Sequence, residues 1–135
     1  MEQMLGLQLN VTLATAGALG LLYIVLAARV IQGRFRHQVS LGDGGQADMI
    51  ARIRTHANFS EYVPFVLILM ALLELSGANK TVLGVTGVSF VICRIAHAIG
   101  IPRKAPNPFR FVGTVGTFLL ILLGSAWALK LAFAS

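Results

Sequence analysis

Arg54, Asn58 and Glu61 stand at i, i+4 and i+7 in the stretch Arg54-Thr55-His56-Ala57-Asn58-Phe59-Ser60-Glu61-Tyr62-Val63-Pro64-Phe65. On a helix that spacing puts all three on one face. An arginine fork grips a carboxylate through two parallel hydrogen bonds, and a glutamate holds an ammonium or a guanidinium. The stripe suits a small anionic or zwitterionic ligand. It runs directly into the apolar segment Val66 to Leu73. An ionisable group at membrane depth costs roughly 2.5–3.5 kcal/mol on insertion scales, so such groups are functional candidates by default. Arg54 with Glu61 also reads as a plain ion pair, and Asn58 as a hydrogen-bond clasp between helices.

A second polar group follows downstream. Arg94 and His97 close an otherwise apolar run, and Arg103, Lys104 and Arg110 lie just beyond it. His97 alone reads more readily as a satisfied core histidine than as a ligand contact. His56 and His97 lack the close spacing of metal-binding pairs, so no metal is expected. The single cysteine, Cys93, excludes an intrachain disulfide and sits among apolar neighbours, where a thiol behaves as a small hydrophobe.

The elements that must position these groups follow from composition. Of 135 residues, 56% are hydrophobic and only 12% charged. Mean hydropathy is +0.79. A soluble domain has about twice that charge. The pattern predicts an all-α integral membrane protein, a single domain over 1–135 with four spans at about 9–30, 47–76, 81–101 and 109–133. The first and last are uncharged along their cores. The middle two reach crossing length only by taking in Arg52 to Glu61 and Arg94 to His97, so they should face each other or a wet cavity rather than lipid. Pro64 should kink the second span or leave a carbonyl unpaired. Gly17, Gly20, Gly113, Gly116 and Gly124 read as close-packing positions. Met1-Glu2-Gln3 lacks the basic start of a cleavable signal peptide.

The net charge of +6 raises the possibility of nucleic acid binding. The basic residues instead flank apolar runs, which favours membrane orientation and an anionic ligand and excludes nucleic acid as the partner. Arg29, Arg34, Arg36, Arg52 and Arg54 surround the first loop; Arg94, Arg103, Lys104 and Arg110 surround the third. Lys80 and Lys130 alone mark the other side. By the positive-inside rule, loops 31–47 and 102–108 are cytoplasmic and both termini outside. Up-down topology then gathers Arg52, Arg54, His56, Asn58, Glu61 and Tyr62 beside Arg94, His97, Arg103 and Lys104 at one leaflet. Apolar walls between helices would admit a lipophilic molecule from the bilayer.

The stretch Arg54 to Phe65 resembles the second-helix signature of the MAPEG family, the membrane-associated proteins in eicosanoid and glutathione metabolism. Arg94-Ile95-Ala96-His97 is similar to that family's third-helix motif, and Lys104-Ala105-Pro106 to the start of its third-loop segment. The resemblance covers essentially the whole chain and points to a bacterial-like microsomal glutathione transferase type in the inner (plasma) membrane. It implies a homotrimer of four-helix subunits, with glutathione as co-substrate bound between subunits near the cytoplasmic face. By matching positions it implies that Arg54, His56, Asn58, Glu61, Tyr62, Arg94 and His97 bind glutathione. It also implies that one of Arg103, Lys104 or Arg110 stabilises the thiolate that attacks a lipophilic electrophile. Ile101 stands where several members carry a tyrosine. Some relatives are non-catalytic lipid-binding scaffolds, which is the alternative. A small transporter or channel fits less well, because the first and last spans carry no polar residue at their middle.

Overall fold

The computed structural model describes residues 8–134; Met1 to Gln3, read above for a leader, lie outside that range. Four helices make up the described chain: α1 (Asn10–His37), α2 (Ala47–Leu75), α3 (Lys80–Gly100) and α4 (Pro108–Phe133). All four are long and apolar enough to cross a membrane. At about 1.5 Å per residue, even the shortest, with 21 residues, spans the hydrocarbon layer. The fold is the all-helical four-span bundle that the composition predicts.

Helix ends follow local chemistry. Asn79 caps α3 by accepting from the Val82 amide at 3.1 Å. Asn107 caps α4 by accepting from the Arg110 amide at 2.8 Å, with Pro108 at the first helical position. α1 continues past the apolar run through Arg29, Arg34 and Arg36 and stops only where Gln38 turns left-handed at φ 55°. Charge ends the membrane-compatible segment, whereas breaking the helix takes a backbone reversal.

Consecutive helices run antiparallel. α1 packs on α2 and α3, and α4 on α3 and α2, so the α2–α3 pair separates α1 from α4. Leu19, Val66, Met70, Leu83 and Phe90 fill the core. Outward positions are apolar as well: Leu21, Ile24, Ile68, Val85, Phe111 and Leu122 are all exposed. An apolar exterior suits lipid and would be a liability in water. Of the glycines expected at close approaches, Gly113, Gly116 and Gly124 meet that expectation: a Cβ would press on the His97 backbone at 2.7 Å, on the Cys93 sulfur and on Leu69 at 3.0 Å, respectively. Gly17 and Gly20 face outward from the chain, and a Cβ on either meets nothing within 4 Å.

Two polar clasps fix the ends of the bundle. At one end Asp48 pairs with His37 at 2.8 Å and Arg52 at 3.0 Å, and Arg52 Nη1 donates to the Arg29 carbonyl at 2.7 Å. Arg52 is thereby turned toward α1, away from the polar groups it was expected to approach. At the other end the buried Glu74 carboxylate accepts from the Val11 amide at 3.0 Å, the Thr12 amide at 2.9 Å and Lys80 Nζ at 2.8 Å. Lys80 also donates to the Gln8 carbonyl at 2.7 Å. One carboxylate therefore caps the positive end of α1 and ties it to α2 and α3. Replacing Glu74 with Ala strips two amides and an ammonium of their acceptor. Thermal unfolding in detergent should register a loss of about 2–4 kcal/mol. An unchanged unfolding temperature would show the clasp to be idle.

Candidate functional site

The N-terminal half of α2 and the C-terminal half of α3 carry the polar groups. Arg94 is almost fully buried, and its Nη2 donates to Asn58 Oδ1 at 2.7 Å. Its guanidinium carbon lies 5.8 Å from the Phe59 ring centroid, a cation–π contact. Arg94 Nε is buried without a partner. No carboxylate answers this cation among the described residues: Asp48 and Glu74 form the end clasps, Glu61 pairs with Arg54, and Asp43 accepts from the Gly45 amide. A buried charge held by one neutral amide is an expensive arrangement. It becomes favourable when an anion completes it.

His97 follows one turn later, buried against Gly113 of α4, with Nδ1 unpartnered. Arg54, Arg94 and Arg110 all lie within electrostatic reach of its ring. Arg110 Nη2 donates to the Ile101 carbonyl at 2.6 Å, capping the end of α3, while its Nε is buried and unpartnered. Arg54 and Arg110 line one cavity of about 300 Å³ with Ala47, Ile50, Ala51 and Ile101. That volume is at the lower end of small-ligand pockets. A larger cavity of about 560 Å³ sits beside the first loop, where Arg34 already donates to the Gly42 carbonyl; neither Arg94 nor Arg110 lines it.

Arg54 and Glu61 form a loose pair, Nη1 to Oε1 at 3.5 Å, on the outer surface of α2 with about half of each side chain exposed. An ion pair on an otherwise apolar exterior is poorly matched to lipid. Tyr62 is half-buried, its ring edge-on to Phe118 of α4 at 5.6 Å. Arg103 and Lys104 are exposed on the third loop; Arg103 lies over the Phe109 ring at 5.1 Å. The main-chain carbonyl of Lys104 accepts from Asn107 Nδ2 at 3.2 Å.

Not every expected residue joins this group. His56 faces α1, its ring stacked on Tyr23 at 5.0 Å, and Phe59 stacks on the same tyrosine at 4.9 Å. His56 and His97 therefore stand on different sides of α2, and no cluster of three or more potential metal-binding side chains occurs among the described residues. Nothing in the sequence assigns Tyr23 a role. A lone aromatic in the middle of an apolar span gives no signal until its packing partner is known.

Residues 12–130, nearly the whole described chain, match the MAPEG family. The chain belongs to the MAPEG family. It is 30% identical over 117 residues to the inner membrane protein YecN of Escherichia coli strain K12, covering 78% of this chain and 88% of the relative. The same-named protein of a second Escherichia coli strain gives the same figures. With its four spans, this MAPEG protein is an integral membrane protein whose relatives reside in the inner membrane.

Proposed function

We propose that this protein is an inner-membrane, glutathione-dependent transferase or peroxidase that works as a homotrimer, with its termini outside and the polar pocket at the cytoplasmic leaflet. The observation that carries this reading is the buried Arg94 guanidinium, which has no carboxylate partner among the described residues. Glutathione is an anion with two carboxylates, one ammonium and one thiol. Arg54 and Arg94 would grip the carboxylates, Glu61 the ammonium, and Asn58 and His97 would order the site; Tyr62 would contact the ligand from the flank, whereas His56, stacked on Tyr23, would not reach it. The exposed Arg54–Glu61 pair favours a second copy of the chain over that face, which would shield the pair from lipid and close the pocket.

Arg110 is favoured over Arg103 and Lys104 as the thiolate stabiliser. Its Nε is buried and free beside the cavity it shares with Arg54. Arg103 is engaged by Phe109, and Lys104 is solvated on the loop. A cation beside the sulfur favours the ionised form, so the thiol releases its proton to water near neutral pH. In transfer, the sulfur attacks an electrophilic carbon and the leaving group departs with the bonding pair. In peroxidase chemistry, two glutathione thiols reduce a hydroperoxide to an alcohol and water and leave as the disulfide.

A non-catalytic lipid-binding scaffold is the second reading, favoured by Ile101 at the position where a tyrosine hydroxyl would assist chemistry. Titration of glutathione into Arg54→Ala and Glu61→Ala variants tests the site. Each should weaken binding by about tenfold or more, the worth of a charge-assisted hydrogen bond. Unchanged affinity in both would contradict the assignment.

A further inference from the structure

α1 outruns the bilayer core. Its uncharged run ends at Ala28, and the helix continues from Arg29 to His37, about 12 Å further at 1.5 Å per residue. That extension crosses the layer of lipid headgroups. Along it α1 has two faces. One packs on α2: a Cβ at Gly33 would press on Met49 and Arg52, and Arg52 bonds the Arg29 carbonyl and the Gln32 side chain. On the opposite side Ile31, Arg34, Phe35 and Gln38, at i, i+3, i+4 and i+7, share one stripe. Val39 and Ser40, where the chain turns away, complete the wall of the recess of about 560 Å³ beside the first loop.

The recess is amphipathic. Ile31, Phe35 and Val39 make it apolar; Arg34, Gln38 and Ser40 supply hydrogen-bond donors. No carboxylate lines it, and Arg34 has no carboxylate partner among the described residues. Arg34 Nη1 is spent on the Gly42 and Val39 carbonyls, at 2.9 and 3.5 Å. Its Nε and Nη2 have no acceptor among the described residues. Arg29 and Arg36 add positive charge along the same extension. Asp48, the acid at the start of α2, is already taken by His37 and Arg52. The negative end of the α1 dipole is offset by Arg34, Arg36 and His37 in its last turn. The complement of such a recess is an anion joined to an apolar chain.

We propose that this recess holds the headgroup of an anionic phospholipid from the leaflet at the first loop. Arg34 Nε and Nη2 donate to two oxygens of the phosphodiester, a match of fork to phosphate. Gln38 and Ser40 donate to other oxygens of the head, and the start of an acyl chain lies on Ile31 and Phe35. Charge does the selecting. A zwitterionic head brings an ammonium, for which the recess has no carboxylate. The guanidinium is held ready by the same bonds that tie the first loop to α1. Neither Arg94 nor Arg110 lines this recess, so the proposal holds whether or not glutathione binds.

The test uses the full-length protein in detergent, without glutathione, with dioleoylphosphatidylglycerol and dioleoylphosphatidylcholine as probes. The two share their chains and differ in the charge of the head. Native mass spectrometry counts the lipid retained. Wild type should retain the anionic lipid about tenfold more tightly, the scale of a charge-assisted hydrogen bond. Arg34→Met should bring the two lipids level. Arg36→Met removes a charge of the same sign from outside the recess and should keep most of the preference. Ser40→Trp fills the recess from the loop and should lower retention of the anionic lipid with Arg34 in place. Equal retention of both lipids by wild type would overturn the proposal, and that comparison requires no variant to fold. An equal loss of preference in Arg36→Met and Arg34→Met would overturn it too, by showing a diffuse surface charge in place of a site. Displacement of the anionic lipid by an equal concentration of glycerol phosphate would make this a site for free phosphate esters and not for lipid. A change in oligomeric mass on Ser40→Trp, read by light scattering, would show that a second copy of the chain covers the recess, which is equally fatal.

Discussion

Replacing Arg94 with Met should abolish glutathione binding while leaving the ligand-free protein as stable as wild type, or more so. Arg94 is buried, with a neutral amide as its one hydrogen-bond partner among the described residues. Burying a charge without a counter-ion costs several kcal/mol, which an apolar side chain of similar length recovers, against about 1–3 kcal/mol for the Asn58 oxygen left without its donor. Binding should move the other way. Loss of a desolvated cation facing a carboxylate costs about 2–5 kcal/mol, or a factor of roughly 30 to several thousand in affinity. The two effects are separable by thermal unfolding in detergent with and without glutathione. A variant destabilised by several kcal/mol would mean that the Arg94–Asn58 contact exists to hold α3 against α2. Stabilisation together with intact binding would mean that the anion site lies elsewhere.

Arg110→Gln should separate binding from chemistry. The glutamine amide can still donate to the Ile101 carbonyl, preserving the cap on α3, but carries no charge. An unperturbed thiol ionises near pH 8.5, so only a few per cent is thiolate at neutral pH. With Arg110 present, the near-ultraviolet thiolate absorbance should appear at neutral pH; with glutamine it should vanish and return only as the pH approaches about 8.5. Turnover should fall by about 10²–10³, the scale for removing one preorganised electrostatic group, while glutathione affinity falls by less than about tenfold. Arg103→Ala and Lys104→Ala should retain the thiolate signal. Its loss in either of these, with Arg110→Gln unaffected, would move the role to that residue.

The fold class was legible because its cause is local. Two long uncharged runs and two shorter ones, separated by glycine and proline clusters, leave few alternatives for a chain this hydrophobic. The grouping of Arg54, Asn58 and Glu61 was legible for the same reason, since helical spacing is a property of one segment. That spacing also turns His56, two residues from Arg54, to a different side of the helix, where it stacks on Tyr23. What sequence could not supply was the partner across helices. Arg94 announces a charge in an apolar run, yet that it meets Asn58 and no carboxylate is a fact of packing. Glu74 was missed because its principal partners are the Val11 and Thr12 amides, and main-chain donors leave no mark in a sequence. Likewise, Arg103, Lys104 and Arg110 are equivalent as basic residues near a proline-rich loop. Only the burial of Arg110 Nε and its place beside Arg54 distinguish it.

The most direct test of the account is glutathione binding to the purified wild-type protein, followed by thermal shift and thiolate absorbance at neutral pH. Glutathione should stabilise the protein, by about 1.4 kcal/mol more for each tenfold of ligand above the dissociation constant, and a thiolate signal should accompany it. Neither stabilisation nor thiolate at millimolar glutathione would contradict it and leave the lipid-binding scaffold as the function of this MAPEG protein.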